Sequence, residues 1–153
     1  RLGEWNDAAV MWQRALDIRK ALSDADPKNV RALAGVATLY GRLALAARAS
    51  GDLDTCIQRS RDELELRERL LAMRTDQAAP RADRAWAALR LAEALADRSE
   101  TIASARRQEM RRDALSLVRP LTDADAAVSV PAGSQPEFIE VRKALLGRLT
   151  ASS

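Results

Sequence analysis

The feature that most constrains the fold is a self-similarity at an interval of 48 residues. Residues 3–5 (GEW) open one segment, and residues 51–53 (GDL) open its counterpart. Further along, residues 16–20 (LDIRK) correspond in size and polarity to residues 64–68 (LELRE). Segments that repeat in this way are typical of small helical units that bury their hydrophobic faces only by stacking. The sequence therefore predicts stacked helical repeats.

The stretch from Gly3 to Asn29 reads as one long amphipathic helix that ends just before a start signal for the next helix. Its apolar residues recur at the spacing that places them on one face of an α-helix. This stripe comprises Ala8, Trp12, Ala15, Leu16, Arg19 and Leu22, with Arg19 contributing its aliphatic stem. We expect Asp26 to cap the next helix and Pro27 to take that helix's first position, where no amide donor is needed.

Three further helices are predicted after the first segment. A helix is predicted over residues 29–50, and Gly51 is expected to end it in the left-handed conformation that favours glycine. A third, weaker copy begins at Pro80, and Ser99 takes the position that corresponds to Gly51. The helix after it should stop at Pro120, because proline cannot continue a helix.

The end of the chain is predicted to be a loop followed by one helix. Residues 122–135 are mostly small and show no helical period, whereas residues 136–150 do. Ser134 and Glu137 have capping-box spacing, and Pro136 fits the first turn. The apolar stripe of this helix is Phe138, Val141, Leu145 and Leu149. We expect it to cap the stack, the alternative being an independent tail helix.

Composition favours an all-α domain. Ala, Leu, Arg and Glu dominate, all of them strong helix formers, and the chain has only 6 Gly and 5 Pro in 153 residues. The net charge of +3 is spread along the chain and forms no basic arm. No apolar run approaches the ~20 residues of a membrane span. The single cysteine, Cys56, excludes an internal disulfide and is expected to be buried.

Residues suited to catalysis or metal binding are scarce. The chain has no histidine, which removes the commonest general base and metal ligand. The pairs Asp52 and Asp54, and Asp123 and Asp125, are carboxylates that could bind a hard cation, but neither belongs to a calcium-loop pattern. Helix starts or solvated loops are the favoured interpretation of both pairs. We therefore predict no enzyme activity, no cofactor and no metal.

The repeat resembles the tetratricopeptide repeat (TPR). Signature positions of that family are matched by Tyr40, Leu43, Ala44 and Gly51. The interval is longer than the family's usual ~34 residues. The segments 15–22 (ALDIRKAL) and 25–29 (ADPKN) resemble the long-repeat arrays of bacterial multidomain signalling proteins. The resemblance covers residues 3 to about 119, and the second copy departs from it at Ser60 and Glu63.

The resemblance implies a right-handed stack of antiparallel helical hairpins over residues 1–121, with the first repeat truncated, and a concave groove. From the helix over residues 29–50, the family's groove positions fall on Thr38, Gly41, Arg42, Leu45 and Arg48. From the helix after Pro80, they fall on Trp86, Leu89, Arg90, Glu93 and Asp97. Arg42, Arg48 and Arg90 would suit an acidic peptide or a C-terminal carboxylate.

The function that follows from this resemblance is a non-catalytic protein–protein interaction module. We expect it to be a piece of a larger bacterial signalling or regulatory protein, in the cytoplasm. One alternative is self-association through apolar faces left open by the truncated first repeat. Another is nucleic-acid binding by a local basic cluster, for which a solvated helix surface is the favoured interpretation. That cluster is Arg106, Arg107, Arg111 and Arg112.

Overall fold

The structure is a computed structural model that describes residues 2–73, 78–126 and 135–151. Within these ranges every regular element is a helix, which confirms the all-α prediction for this part of the chain. The chain divides into two compact units, Arg1–Arg74 and Thr75–Ser153, called unit 1 and unit 2 below.

Unit 1 contains three helices, α1 (Leu2–Ala25), α2 (Val30–Ala49) and α3 (Leu53–Met73). The middle helix, α2, packs against both α1 and α3. One core cluster joins α1 to α2, and a second joins α2 to α3. The first is formed by Leu16, Val36, Leu39 and Leu43, and the second by Leu33, Ala37 and Leu70. Cys56 is buried, as predicted.

The turn between α1 and α2 corrects the predicted cap. The N-cap of α2 is Asn29, whose side-chain oxygen accepts a hydrogen bond from Ala32 N at 2.9 Å. Asp26 instead accepts from Lys28 N through its side chain and from Asn29 N through its carbonyl. Pro27 therefore lies inside a tight turn and not at the first position of α2. An Asp followed by Pro is compatible with a helix N-cap and with a tight turn. Here the dipeptide forms the turn, because Asn29 is the N-cap.

The turn between α2 and α3 was predicted correctly. Gly51 has a φ of 82°, so it adopts the left-handed conformation. Its N–H donates to Arg48 O at 3.0 Å, while Asp52 N donates to Ala47 O at 2.9 Å, which together form a Schellman motif. Asp52 then begins α3, because its side chain accepts from Thr55 N at 3.0 Å. Hydrogen bonds from Thr55 hold the pKa of Asp52 below its usual value.

The contact between α2 and α3 contains two buried polar side chains. Ser60 and Glu63 of α3 are 0% and 1% exposed. The Glu63 carboxylate lies against Gly41 of α2 and forms an ion pair with Arg67 at 3.8 Å. Arg67 Nη2 in turn donates to Thr38 Oγ1 at 3.2 Å. Because Gly41 lacks a Cβ atom, the carboxylate can approach the backbone of α2 closely.

Unit 2 contains α4 (Ala78–Glu100), α5 (Ser104–Val118), the single turn α6 (Asp123–Ala126) and α7 (Gln135–Thr150). Helix α4 packs against the other three. Its buried positions are mostly alanines, which allow neighbouring helices to approach closely; they are Ala82, Ala85, Ala87, Ala88, Ala92, Ala94 and Ala96. Helix α5 ends at Val118, just before Arg119 and Pro120, as predicted.

The last helix buries the stripe that the sequence predicted. Phe138, Leu145 and Leu149 are buried, and Val141 is half-buried. The Phe138 ring lies edge-on to Trp86 of α4, with centroids 5.0 Å apart. Within the predicted loop 122–135, residues 123–126 form the turn α6, and residues 127–134 lie outside the described ranges. Ser134 of the predicted capping box is among them.

Candidate interaction surfaces

Helix α1 carries most of the exposed apolar surface. Five of the seven large hydrophobic side chains that are exposed in the described chain belong to it. They are Met11 (64% exposed), Ile18 (66%), Leu22 (58%), Val10 (54%) and Trp5 (36%). Met11, Ile18 and Leu22 lie on one face of the helix, and we call these three residues the α1 stripe. These three side chains form one exposed apolar patch on unit 1.

The exposure of Leu22 corrects the predicted core face of α1. Leu16 is fully buried and Trp12 is half-buried, as expected, but the next buried position on that face is Ser23. Residues 16 and 23 are two helical turns apart, whereas Leu22 points about 100° away from Ser23. Arg19 is exposed, with its side chain lying over Gly35 of α2. The apolar spacing could not show which residue next to position 22 is buried, because Leu16 and Leu22 also fit one broad apolar face.

Four of the five predicted groove residues of unit 1 lie along the outer face of α2, whereas Gly41 is buried against the Glu63 carboxylate. Thr38 Oγ1 accepts from Arg67 and donates to Ala34 O at 2.9 Å. The Arg42 guanidinium lies 5.8 Å from the Trp12 ring centroid, a cation–π contact. Leu45 is exposed, and Arg48 is half-buried and has an intramolecular partner. This face therefore offers Arg42 and Leu45 as its most accessible side chains.

The predicted groove residues of unit 2 make more contacts within their own unit than those of unit 1 do. Trp86 is half-buried against Phe138, and Asp97 Oδ1 accepts from Arg148 Nη1 at 2.8 Å. Arg90 and Glu93 are half-buried and have intramolecular partners. Leu89 is fully buried, so three of the five nominated side chains, those of Trp86, Leu89 and Asp97, contribute to the packing of unit 2.

Unit 1 also contains a small cleft where α1 and α3 diverge over α2. Its volume is about 210 Å³. Leu33, Val36 and Leu66 contribute apolar surface, and the charged residues of the lining are Lys20, Asp24, Asp62, Glu65 and Arg69. The cleft therefore combines an apolar surface with charged side chains of both signs at its rim.

A network of arginines holds the end of unit 2 together. On α7, Arg148 Nη1 donates a hydrogen bond to Asp97 Oδ1 of α4 at 2.8 Å, and Arg148 Nε donates to Glu100 Oε1 at 2.6 Å. The hydrogen bond from Arg148 lowers the pKa of Glu100, and the same bond raises the pKa of Arg148. The sequence analysis did not identify this network. Its only sequence signal was an arginine near the C-terminus of the last helix, a position too common to be diagnostic.

The basic cluster on α5 is divided by the fold. Arg107 donates to Ser99 O and Ile102 O, and Arg111 donates to Arg148 O and Leu149 O. Both guanidiniums therefore satisfy carbonyls at or just beyond helix C-termini, where positive charge is favourable. Arg106 and Arg112 are exposed. A cleft of about 240 Å³ lies beside Arg107, Arg111 and Arg148, and Glu100 also lines it.

The aspartate pairs have structural partners. Asp52 caps α3, Asp123 pairs with Arg142 at 3.3 Å, and Asp125 accepts hydrogen bonds from Thr122. Among the described residues, no three His, Cys, Asp or Glu side chains are placed to hold a metal ion.

Among the residues that the structure describes, one helix is long and apolar enough to meet the criteria for a membrane span. It is α2, with 20 residues and a mean hydropathy of 1.3 in the relevant window. Of that window, 56% is buried inside the structure. The core helix of a folded unit passes the same test, so this is weak evidence for a membrane segment.

Comparison with known proteins adds no relative: protein-family models, curated proteins and solved structures were each searched, and none matches this chain.

Proposed function

We propose that the chain is a non-catalytic protein–protein interaction module. The observation that carries this proposal is the concentration of exposed apolar side chains on α1, where Met11, Ile18 and Leu22 form one face. Burying such side chains against a partner contributes favourable free energy of about 25 cal/mol per Å² of apolar surface. The absence of histidine in the sequence supports a binding role over a catalytic one.

We propose further that the helices form TPR-like hairpins of a right-handed stack within a larger cytoplasmic signalling or regulatory protein. The antiparallel hairpin of α2 and α3, closed by Gly51, and the 48-residue correspondence between α1 and α3 support this. The outer face of α2, with Arg42 and Leu45, would be a second contact surface, suited to an acidic peptide.

The test is affinity capture from a lysate of the source organism, read by mass spectrometry. Wild type would be compared with Ile18→Gln/Leu22→Gln on α1 and with Arg42→Glu/Leu45→Gln on α2. All four of these side chains are exposed and outside the core clusters, and Arg42 contacts the Trp12 ring, so each variant should keep its circular dichroism spectrum. Loss of a partner in the α1 variant alone would show that the partner binds the α1 stripe. Loss in the α2 variant alone would show that it binds the outer face of α2. A partner set unchanged in both variants would contradict the proposal.

Self-association remains a second candidate, because the α1 stripe could also cover a copy of itself. Sedimentation measured over a hundredfold range of concentration decides this. A mass that rises with concentration in wild type and stays monomeric in Ile18→Gln/Leu22→Gln would favour self-association over a separate partner.

A further inference from the structure

Helix α3 shows what covers the positions that α1 leaves open. Leu66 and Leu70 stand 48 residues after Ile18 and Leu22. Leu70 is only 5% exposed, because it packs in a cluster with Leu33 and Ala37 of α2, and Leu66 packs against the same cluster. The element that covers these positions in α3 is therefore a helix. The equivalent side chains of α1 have the same spacing and present the same kind of surface.

The exposed face of α1 has the spacing of a helix-pairing seam. Met11, Arg14, Ile18, Ala21 and Ala25 follow steps of three and four residues, and all five are exposed. A seam with this period faces a second helix along its whole length. At 1.5 Å per residue it is about 21 Å long, which corresponds to about two turns on each side of Ile18. Leu22 widens it along one edge.

The two edges of the seam differ in charge. Asp17 and Asp24 stand seven residues apart on one edge, together with Val10. Asp17 accepts a hydrogen bond from Gln13 Nε2 at 2.9 Å, and neither carboxylate forms an ion pair with another described residue. The opposite edge has Ala8, Ala15 and Leu22 and no charge. A covering helix with positive side chains along one edge would complement this pattern.

The same charges disfavour a second copy of this chain. In an antiparallel pair related by a two-fold axis, identical edges meet, so the Asp17 and Asp24 edges of both copies would face each other. In a parallel pair, Arg14 would face Arg14 and Asp7 would face Asp7 across the seam. Like charges opposed across an interface are destabilising. Neither arrangement therefore suits this face.

A lipid surface is disfavoured for a related reason. Helices that lie on membranes carry Lys and Arg next to the apolar face, where they meet anionic headgroups. On α1 the seam has one basic residue, Arg14, and its charged edge carries Asp17 and Asp24. A negatively charged leaflet would repel them.

We propose that α1 docks an amphipathic helix of a partner protein, whose apolar seam covers Met11, Ile18 and Leu22 and whose Lys or Arg side chains meet Asp17 and Asp24. This rests on the proposed function and specifies the partner's secondary structure and charge.

The test uses two synthetic helical peptides of three heptads with the same apolar seam. One carries Lys at the two edge positions that face Asp17 and Asp24, and the other carries Glu there. Binding to the whole chain is measured by fluorescence anisotropy at low salt. We expect the Lys peptide to bind about tenfold more tightly than the Glu peptide, since two surface attractions replace two repulsions. Raising the ionic strength should narrow the difference.

Two variants make the assignment specific. In Asp17→Lys/Asp24→Lys the preference should reverse, so that the Glu peptide binds more tightly. In Ile18→Gln/Leu22→Gln both peptides should lose binding, whereas the matched control Leu45→Gln, an exposed leucine on α2, should bind like wild type. Circular dichroism confirms that each variant is folded.

Other outcomes would overturn the proposal. Equal binding of the two peptides, no binding of either, or a preference that persists in Asp17→Lys/Asp24→Lys would each do so. A concentration-dependent dimer that is lost in Ile18→Gln/Leu22→Gln would identify a second copy as the occupant. Co-sedimentation of the protein with anionic vesicles would identify a lipid surface. If lysate capture depends on the α1 stripe while the peptides fail these tests, the interaction function stands and the helical partner is rejected.

Discussion

The two units of this chain treat their first helices in opposite ways. In unit 1, α1 buries one face against α2 and leaves Met11, Ile18 and Leu22 largely exposed. In unit 2, α4 is buried along most of its length through alanines and leucines and packs against α5, α6 and α7. Both helices have more than 20 residues. Helix length and apolar content therefore do not determine exposure; the number of neighbouring helices does.

This difference indicates where stability and binding are located. A helix covered by several others contributes its apolar surface to folding, whereas under the proposed function the open face of α1 is the surface that binds a partner. We therefore expect substitutions in the core of unit 2 to act on stability and substitutions on the open face of α1 to act on binding. The predictions below test this division from the largest expected effect to the smallest.

The largest effect is expected for Phe138→Ala in unit 2. Phe138 is fully buried and lies edge-on to Trp86, so its removal leaves a cavity and an unpaired ring. The free energy of unfolding should fall by about 3–5 kcal/mol. Urea denaturation followed by circular dichroism measures this. The control Leu22→Ala, on the exposed face of α1, should change stability by less than about 0.5 kcal/mol. Similar losses in both variants would remove the distinction between the units.

An intermediate effect is expected for Gly41→Ala in unit 1. A Cβ at this position would lie 2.7–2.9 Å from the carboxylate of Glu63, which is buried and held near Arg67. We expect a loss of about 1–3 kcal/mol, because the overpacked carboxylate must move. In contrast, Gly147→Ala on α7 meets no atom within 4 Å. It should stabilise the chain by about 0.5–1 kcal/mol through helix propensity. Thermal unfolding of both variants compares the two sites directly, and stabilisation by Gly41→Ala would refute the close approach of α3.

A smaller, pH-dependent effect is expected for Arg148→Gln. The hydrogen bond from Arg148 holds the pKa of Glu100 below its ordinary value of 4.5. Glu100 therefore stabilises unit 2 fully above about pH 4.5, and this contribution is lost as the pH falls through the lowered pKa. Because Arg148 and Glu100 are 36% and 60% exposed, solvent screening limits the loss in the variant to about 1 kcal/mol at pH 7.

The check for this pair is a series of urea titrations between pH 7 and pH 3. Wild type should lose stability more steeply than Arg148→Gln below pH 4.5. Parallel curves for the two proteins would show that the ion pair does not contribute.

The smallest effects are expected at two buried serines. Ser60 Oγ has no hydrogen-bond partner in the described structure, whereas Ser99 Oγ donates to Ala96 O at 2.7 Å. Ser60→Ala should be neutral or stabilising by up to about 1 kcal/mol, because it removes an unsatisfied hydroxyl. Ser99→Ala should be destabilising by about 0.5–1 kcal/mol. Differential scanning calorimetry can rank the two variants, and the reverse order would contradict the hydrogen bonding described for them.

The sequence predicted the helices well because their signals are local. The glycine at the end of α2, the proline after α5 and the apolar stripe of α7 each depend on residues within one or two turns. The N-cap of α2 was misplaced by three residues because the local signals were ambiguous. Asp26 and Asn29 are both good caps, and which one begins the helix depends on the turn as a whole.

The surfaces were harder to predict because they depend on contacts between distant residues. Leu22 was assigned to the core, yet no described neighbouring helix covers it, whereas its counterpart Leu70 is buried. Ser60 and Glu63 were recognised only as departures from the TPR pattern, and the structure places both in the α2–α3 contact. The groove residues on α2 and α4 stay a prediction. The bonds of Arg148 and Arg111 join residues 37 to 51 positions apart, which no local pattern encodes.

The turn at Gly51 and Asp52 has a consequence for the order in which the chain folds. Two adjacent residues both end α2 and begin α3, so the hairpin closes over a very short stretch of chain. Loop-closure entropy is then small, and contacts between neighbouring helices can form before any contact distant in sequence. We therefore expect the α2–α3 hairpin to form early in the folding of unit 1. As the chain leaves the ribosome, α1 and α2 emerge first, and the short turn lets α3 pair with α2 as soon as α3 has emerged.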